Sequence, residues 1–130
     1  PRYLSSAASD VYKRQAVNAA DDNASRIALK ASAAQESVAR GLDLLANGQA
    51  LIDEGELVVR EGEERLRRII DDGSWADPDT REARASALTM IRRGNDKISK
   101  GNHEVVRGHG VIRQARVALE QMAREPSPQR

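Results

Sequence analysis

Glycines recur every seven residues in two separate stretches of the chain. They stand at Gly41, Gly48, Gly55 and Gly62, and again at Gly94, Gly101 and Gly108. With each glycine at heptad position d, position a is aliphatic throughout both stretches. The a residues are Val38, Leu45, Ile52, Val59 and Leu66 in the first stretch and Ile91, Ile98, Val105, Ile112 and Leu119 in the second. A sustained seven-residue apolar period predicts two α-helices that wind around each other as a left-handed coiled coil.

The glycines predict a close contact between the two helices. Glycine inside a helix costs about 1 kcal/mol relative to alanine, so this many glycines need a compensating gain. A side chain reduced to hydrogen lets a second backbone approach more closely than the usual distance of about 8–10 Å. Alanine continues the small d row at Ala34, Ala87 and Ala115. The alternative is that the glycines mark loops, but loops have no reason to keep an aliphatic residue four positions after each glycine.

A single break separates the two stretches. Gly73 suits the C-terminal cap of a first helix, and Asp77 followed by Pro78 is typical of the start of a second. We therefore predict one all-α domain, a long antiparallel two-helix hairpin. Its helices would span about 16–72 and 78–124, with a turn at 73–77 and a flexible tail at 125–130.

Two registers of this hairpin are compatible with the pattern. In the first, paired residue numbers sum to 153, so that Val59 lies opposite Gly94 and Leu66 lies opposite Ala87. Each layer then holds one large and one small side chain, which keeps the layer volume constant. In the second, the numbers sum to 156 and glycine stacks on glycine. We favour the first register.

A second apolar row predicts a docking surface. Leu44, Leu51 and Val58 occupy position g of the first helix, which makes its apolar face wider than two helices need. Such a row indicates a further packed helix, so we expect two hairpins to assemble into a four-helix bundle. The alternative is that these residues only flank the seam, by which we mean the line along which the two helices contact each other. The stems of long charged side chains would then partly cover them.

The first fifteen residues differ from the rest of the chain. Residues 5–15 resemble translated sequencing-adapter read-through found at the ends of metagenomic reading frames. On this interpretation, segment 1–15 is not part of the natural protein. The alternative is a disordered basic terminus. Either interpretation predicts that the hairpin begins near Ala16.

Charge is divided between the arms, although the net charge is only +1. Residues 21–72 contain twelve acidic and seven basic side chains, whereas residues 81–124 contain ten basic and four acidic ones. Attraction between the arms favours the antiparallel hairpin. The basic second helix also leaves nucleic-acid or other anion binding open. However, its basic residues are spread around the helix, and no aromatic residues interleave with them.

No catalytic, metal or cofactor site is predicted. The chain has no cysteine, and His103 and His109 are six residues apart, on different faces of a helix, so they do not form a metal pair. Two packed helices offer no concave pocket that would desolvate a nucleophile, so we expect neither an enzyme nor a small-molecule substrate. Trp75 follows Gly73, unlike the Trp-x-Gly turn of small secreted helical hairpins. A secreted hairpin that pairs with a partner is a further alternative.

The pattern therefore predicts a structural or protein-interaction module. Its expected partner is a second copy of the chain or another helical protein. No stretch approaches the roughly 18 uninterrupted apolar residues that a membrane span needs. We expect a soluble, cytoplasmic protein, and secretion stays open.

Overall fold

The structure, a computed structural model, describes the backbone of residues 2–124 and the side chains of residues 11–124. It contains two α-helices that pack against each other, α1 (Arg2–Asp71) and α2 (Arg81–Arg124). A 3-10 turn at Pro78–Thr80 precedes α2. No strand occurs in the described backbone. The expected all-α helical hairpin is confirmed.

The helix boundaries differ from the prediction at both helix starts. Helix α1 begins at Arg2 rather than near Ala16, so it includes the backbone of residues 2–15. Residues 2–15 contain neither proline nor glycine, so nothing in them ends a helix. The foreign origin of segment 1–15 stays a prediction. Helix α2 begins at Arg81 rather than at Pro78, because the chain enters it through the 3-10 turn. The tail expected at 125–130 lies outside the described residues.

The turn between the helices is held by its own hydrogen bonds. Gly73 has a φ of +68° and donates its backbone N–H to the carbonyl of Ile70 at 3.0 Å, as expected for a glycine that ends a helix. The Asp77 side chain caps the 3-10 turn by accepting the backbone N–H two residues later at 3.0 Å. The Thr80 hydroxyl lies 2.7 Å from the carbonyl oxygen of Ser74 and 2.8 Å from that of Asp77. These bonds fix the path of the chain between α1 and α2.

The chain divides into two compact units. The terminal unit comprises Pro1–Ala39 and Ile112–Arg130, and the turn unit comprises Arg40–Val111. Ala34 and Ala115 are buried in the terminal unit, and Ala87 is buried in the turn unit. Among the described side chains these alanines form the whole buried hydrophobic core, and no large side chain is fully buried. Small residues therefore occupy the centre of the helix contact in each unit.

Candidate interaction surface

The helices of the turn unit are in direct backbone contact at their glycines. A Cβ atom built on Gly48 would lie 2.6 Å from the carbonyl oxygen of Gly101, and one built on Gly55 would lie 2.6 Å from that of Gly94. Both distances are shorter than real Cβ atoms adopt. The hydrogen that glycine carries in place of Cβ points at this oxygen. A Cα–H···O contact of this kind contributes about 0.5–1 kcal/mol.

All seven glycines placed on the seam by the sequence are buried. Gly41 and Gly108 continue the backbone contact, because a Cβ atom on Gly108 would lie 2.7 Å from the carbonyl oxygen of Gly41. At the other end, a Cβ atom on Gly62 would lie 2.9 Å from the carbonyl oxygen of Ala87. The close approach is therefore repeated along the turn unit.

Six of the seven glycines of the seam also face an aliphatic a residue of the opposite helix. The distance from the built Cβ to the nearest side-chain atom is 2.6 Å for Gly94 and Val59, 2.7 Å for Gly101 and Ile52, and 3.0 Å for Gly108 and Leu45. The reciprocal distances are 2.8 Å for Gly48 and Val105, 2.7 Å for Gly55 and Ile98, and 2.8 Å for Gly62 and Ile91. In all six pairs the residue numbers sum to 153. The structure thus has the register that alternates large and small residues.

The a and g rows of the turn unit flank this seam on opposite sides. A residue four positions after d is turned by about 40° to one side of d, and a residue three positions after d by about 60° to the other side. Because the helices face each other through d and run in opposite directions, both a rows lie on one side of the seam. Both g rows lie on the other side.

These two sides define an a face and a g face of the turn unit. The a face consists of Leu45, Ile52, Val59, Leu66, Ile91, Ile98 and Val105, all half-buried. The g face consists of Leu44, Leu51, Val58, Met90, Lys97, Glu104 and Val111, also half-buried. The partner surface expected from the sequence, Leu44 with Leu51 and Val58, is therefore the α1 part of the g face.

Charged side chains interrupt the g face. The Lys97 ammonium pairs with the Glu54 carboxylate across the two helices, with Nζ and Oε1 2.7 Å apart. Glu104 places its Oε2 atom out of reach of solvent without a hydrogen-bond partner. Both g residues are half-buried beside the seam. The seven aliphatic residues of the a face form rows without a charged member, although Arg84 occupies the next a position of α2 towards the turn.

Sequence reasoning missed the Glu54–Lys97 pair, although a signal for it exists. Their residue numbers sum to 151, close to the sum of 153 in the favoured register. Their heptad positions, c on α1 and g on α2, lie on the same side of the seam. A search of the register for opposite charges at neighbouring positions would have found this pair.

In the terminal unit, as in the turn unit, the small seam residues at d are more buried than the large ones at a. Ala34 and Ala115 are buried, whereas Val38, Ile112 and Leu119 are half-buried. Small residues at d again occupy the centre, and the larger a residues lie beside them.

The turn end of the hairpin carries an aromatic contact. The Arg84 guanidinium lies over the Trp75 ring, 5.3 Å from the ring centroid, which is within the range of a cation–π interaction. Arg84 occupies the a position where the aliphatic row of α2 would continue, and its Nε atom is buried without a hydrogen-bond partner. Trp75 itself remains exposed. The aliphatic a row of α2 therefore ends before Arg84, which packs on Trp75 instead.

The basic residues of α2 and the two histidines lie mainly on the surface. Arg92, Arg93, Lys100, His103 and His109 are exposed. Among the described residues no three histidine, aspartate or glutamate side chains are grouped so as to hold a metal ion. Within the same residues no helix has an apolar stretch of the length needed to cross a membrane.

Comparison of the chain with protein-family models, curated proteins and solved structures gives no match.

Proposed function

We propose that the protein is a structural or protein-interaction module whose helical hairpin associates, through the apolar rows beside its seam, with a second copy or with another helical protein. The observation that supports this is the absence of a large buried side chain among the described residues. The a and g faces together present many aliphatic side chains that the contact between α1 and α2 leaves partly accessible to water.

The energetic reason follows from the size of that apolar surface. Removing apolar area from water stabilises by roughly 25 cal/mol per Å², and here much of the aliphatic area remains to be covered. A further helix packed on either face would cover it without changing the seam. Exposed apolar patches of this length are typical of surfaces that contact other proteins.

The test is the molar mass of the full chain by size exclusion with light scattering, measured over a range of concentrations at moderate salt. We expect a species larger than one chain, together with a melting temperature that rises with protein concentration. If the chain is a monomer, the fluorescence of a dye that binds apolar surface shows whether the faces are accessible to another protein. A monomer that binds no dye would contradict the proposed function.

The g face is tested by changing Leu44 and Leu51 together to glutamate. Both residues lie beside the seam, so circular dichroism must first show that the variant remains helical. A helical variant with lower molar mass than the unchanged chain would assign association to the g face.

A further inference from the structure

We propose that the a face is the surface on which a second copy of this chain docks, with α1 of one copy lying on α2 of the other. This assignment rests on the proposed function and specifies both its surface and its partner. The product is a four-helix assembly in which two hairpins meet through their a faces.

The a face is the more apolar side of the turn unit. Its aliphatic row runs from Leu45 to Leu66 on α1 and from Ile91 to Val105 on α2, and its charged member, Arg84, lies at the turn end, whereas Lys97 and Glu104 lie within the row of the g face. Positions e and b lie outside the a row on the same side, at about 100° and 140° from d. The exposed hydrophobic residues Leu42, Ile70 and Leu88 occupy position e, and Val106 occupies position b. These four residues add apolar area beside the a face, between polar and charged e residues such as Glu56 and Glu63.

Leu57 is the exception among the exposed hydrophobic residues of the two helices in the turn unit. It is exposed at position f, on the far side of α1 from both the seam and the a face. A single exposed leucine of this kind is common on protein surfaces and marks no site.

The geometry of the a face suits a second copy of the same chain. Both helices carry the same arrangement of glycine at d and aliphatic residues at a, and they run in opposite directions. The two helices of the face are therefore related by an approximate two-fold axis. Along each helix the aliphatic residues recur every seven residues. A second copy presents rows with the same spacing, which is the self-complementarity that a two-fold symmetric interface requires.

The size of the face is sufficient for a specific dimer. The segment from Leu42 to Leu66 spans about 36 Å at about 1.5 Å per residue, and two closely packed helices are about 18 Å wide. Two such faces would bury on the order of 1,300 Å² in total, within the range of about 1,200–2,000 Å² that is typical of specific interfaces.

The charges select one orientation of the two copies. Residues 40–72 of α1 contain nine acidic and five basic side chains, whereas residues 81–111 of α2 contain seven basic and three acidic ones. Packing α1 on α2 of the other copy places opposite net charges together. Packing α1 on α1 places Glu56 and Glu63, both at position e and exposed, against the same residues of the second copy. Like charges brought together in this way oppose association.

The first test changes two exposed residues of the a face. Leu42 and Leu88 are 54% and 48% exposed, so Leu42→Glu with Leu88→Glu should leave the helices intact. The matched control is Leu29→Glu with Leu57→Glu, because these leucines are 72% and 63% exposed at position f and the charge change is the same. Circular dichroism checks that both variants remain helical.

We expect light scattering to give twice the mass of one chain for the unchanged protein and for the control, and a twofold lower mass for the a-face variant. A helical a-face variant that keeps the dimer mass would overturn the inference. If only Leu44→Glu with Leu51→Glu then breaks the dimer, the proposed function stands and its surface is the g face. An unchanged chain that is monomeric but binds the apolar dye would also overturn the inference, while leaving another helical protein as partner.

The second test examines the orientation by crosslinking. Residues whose numbers sum to about 151 lie level across the seam, as Glu54 and Lys97 do. In the proposed orientation Glu56 of one copy faces Asn95 of the other. The chain has no native cysteine, so Glu56→Cys and Asn95→Cys chains can be mixed and treated with a short bismaleimide. We expect a crosslinked product from the mixture and none from Glu56→Cys alone, and the opposite pattern would overturn this orientation.

Discussion

Gly48 and Gly101 contact each other through their backbones. The carbonyl oxygen of each lies at the position that a Cβ atom of the other would occupy. The distance from the built Cβ to that oxygen is 2.6 Å in one direction and 2.5 Å in the other. Because the obstacle is backbone on both sides, it cannot move aside as the end of a flexible side chain would. The same reciprocal contact joins Gly55 and Gly94, at 2.6 and 2.7 Å.

Replacement of Gly55 by alanine should therefore destabilise the hairpin, even though alanine favours helix. We expect a loss of about 1–3 kcal/mol in the free energy of unfolding, because the added methyl group forces the helices apart. Gly55→Leu should cost more. The measurement is urea unfolding followed by circular dichroism.

Gly110→Ala is the matched control, since a Cβ atom on this helical glycine would meet nothing within 4 Å. We expect the control to gain up to about 1 kcal/mol from helix propensity alone. If Gly55→Ala also raised stability, this would contradict the close backbone contact between Gly55 and the opposite helix.

The second prediction concerns the glycine of the turn. Gly73 has a φ of +68°, which costs an L-residue roughly 1–2 kcal/mol, and its Cβ position is open. Gly73→Ala should lower the melting temperature through backbone strain alone. Gly73→Asn should lower it less, because asparagine tolerates this conformation better. Equal effects of the two substitutions would show that strain is not the cause.

The third prediction concerns the ion pair between the helices. Lys97 and Glu54 are 38% and 58% exposed, so solvent screens their attraction. A double-mutant cycle with Lys97→Met and Glu54→Gln should give a coupling energy below about 1 kcal/mol that decreases as salt is added. The pair between Glu61 and Arg65 within α1 is a suitable comparison. A large coupling that is insensitive to salt would mean that a partner covers the pair.

The fourth prediction separates protein interaction from nucleic-acid binding. Arg92, Arg93 and Lys100 are exposed on α2, whereas Lys97, which belongs to the same basic segment, is paired with Glu54. We expect no binding of the full chain to single- or double-stranded oligonucleotides at moderate salt, measured by fluorescence anisotropy. Salt-dependent binding that disappears when the three exposed residues are changed to glutamine would favour the nucleic-acid alternative.

The all-α hairpin was predictable because two local signals agree. The seven-residue spacing identifies the helices, and the segment from Gly73 to Pro78 contains both a helix end and a helix start. A register sum of 153 pairs Val59 with Gly94, and the structure brings these two residues together. Steric complementarity between large and small residues is encoded in the sequence, so the sequence is sufficient to predict the register.

Other features depend on information that the heptad pattern does not contain. Helix α1 begins at Arg2, in a segment that lacks the heptad pattern and contains neither proline nor glycine. The separation of the a and g faces follows from the close approach of the backbones, which turns both rows outward from the seam. Leu44 and Leu51 therefore share a side with Lys97 and Glu104 rather than with Leu45 and Ile52.

The regularity of the seam also makes its register ambiguous by whole heptads. If one helix slid by seven residues along the other, most glycines would again meet an aliphatic residue, so the seam alone does not distinguish these offsets. The turn removes the ambiguity, because the hydrogen bonds from Thr80 to Ser74 and from Gly73 to Ile70 set how many residues separate the last layer of α1 from the first layer of α2. This short segment thus selects one alignment of the helices among several that the repeating seam would accept equally well.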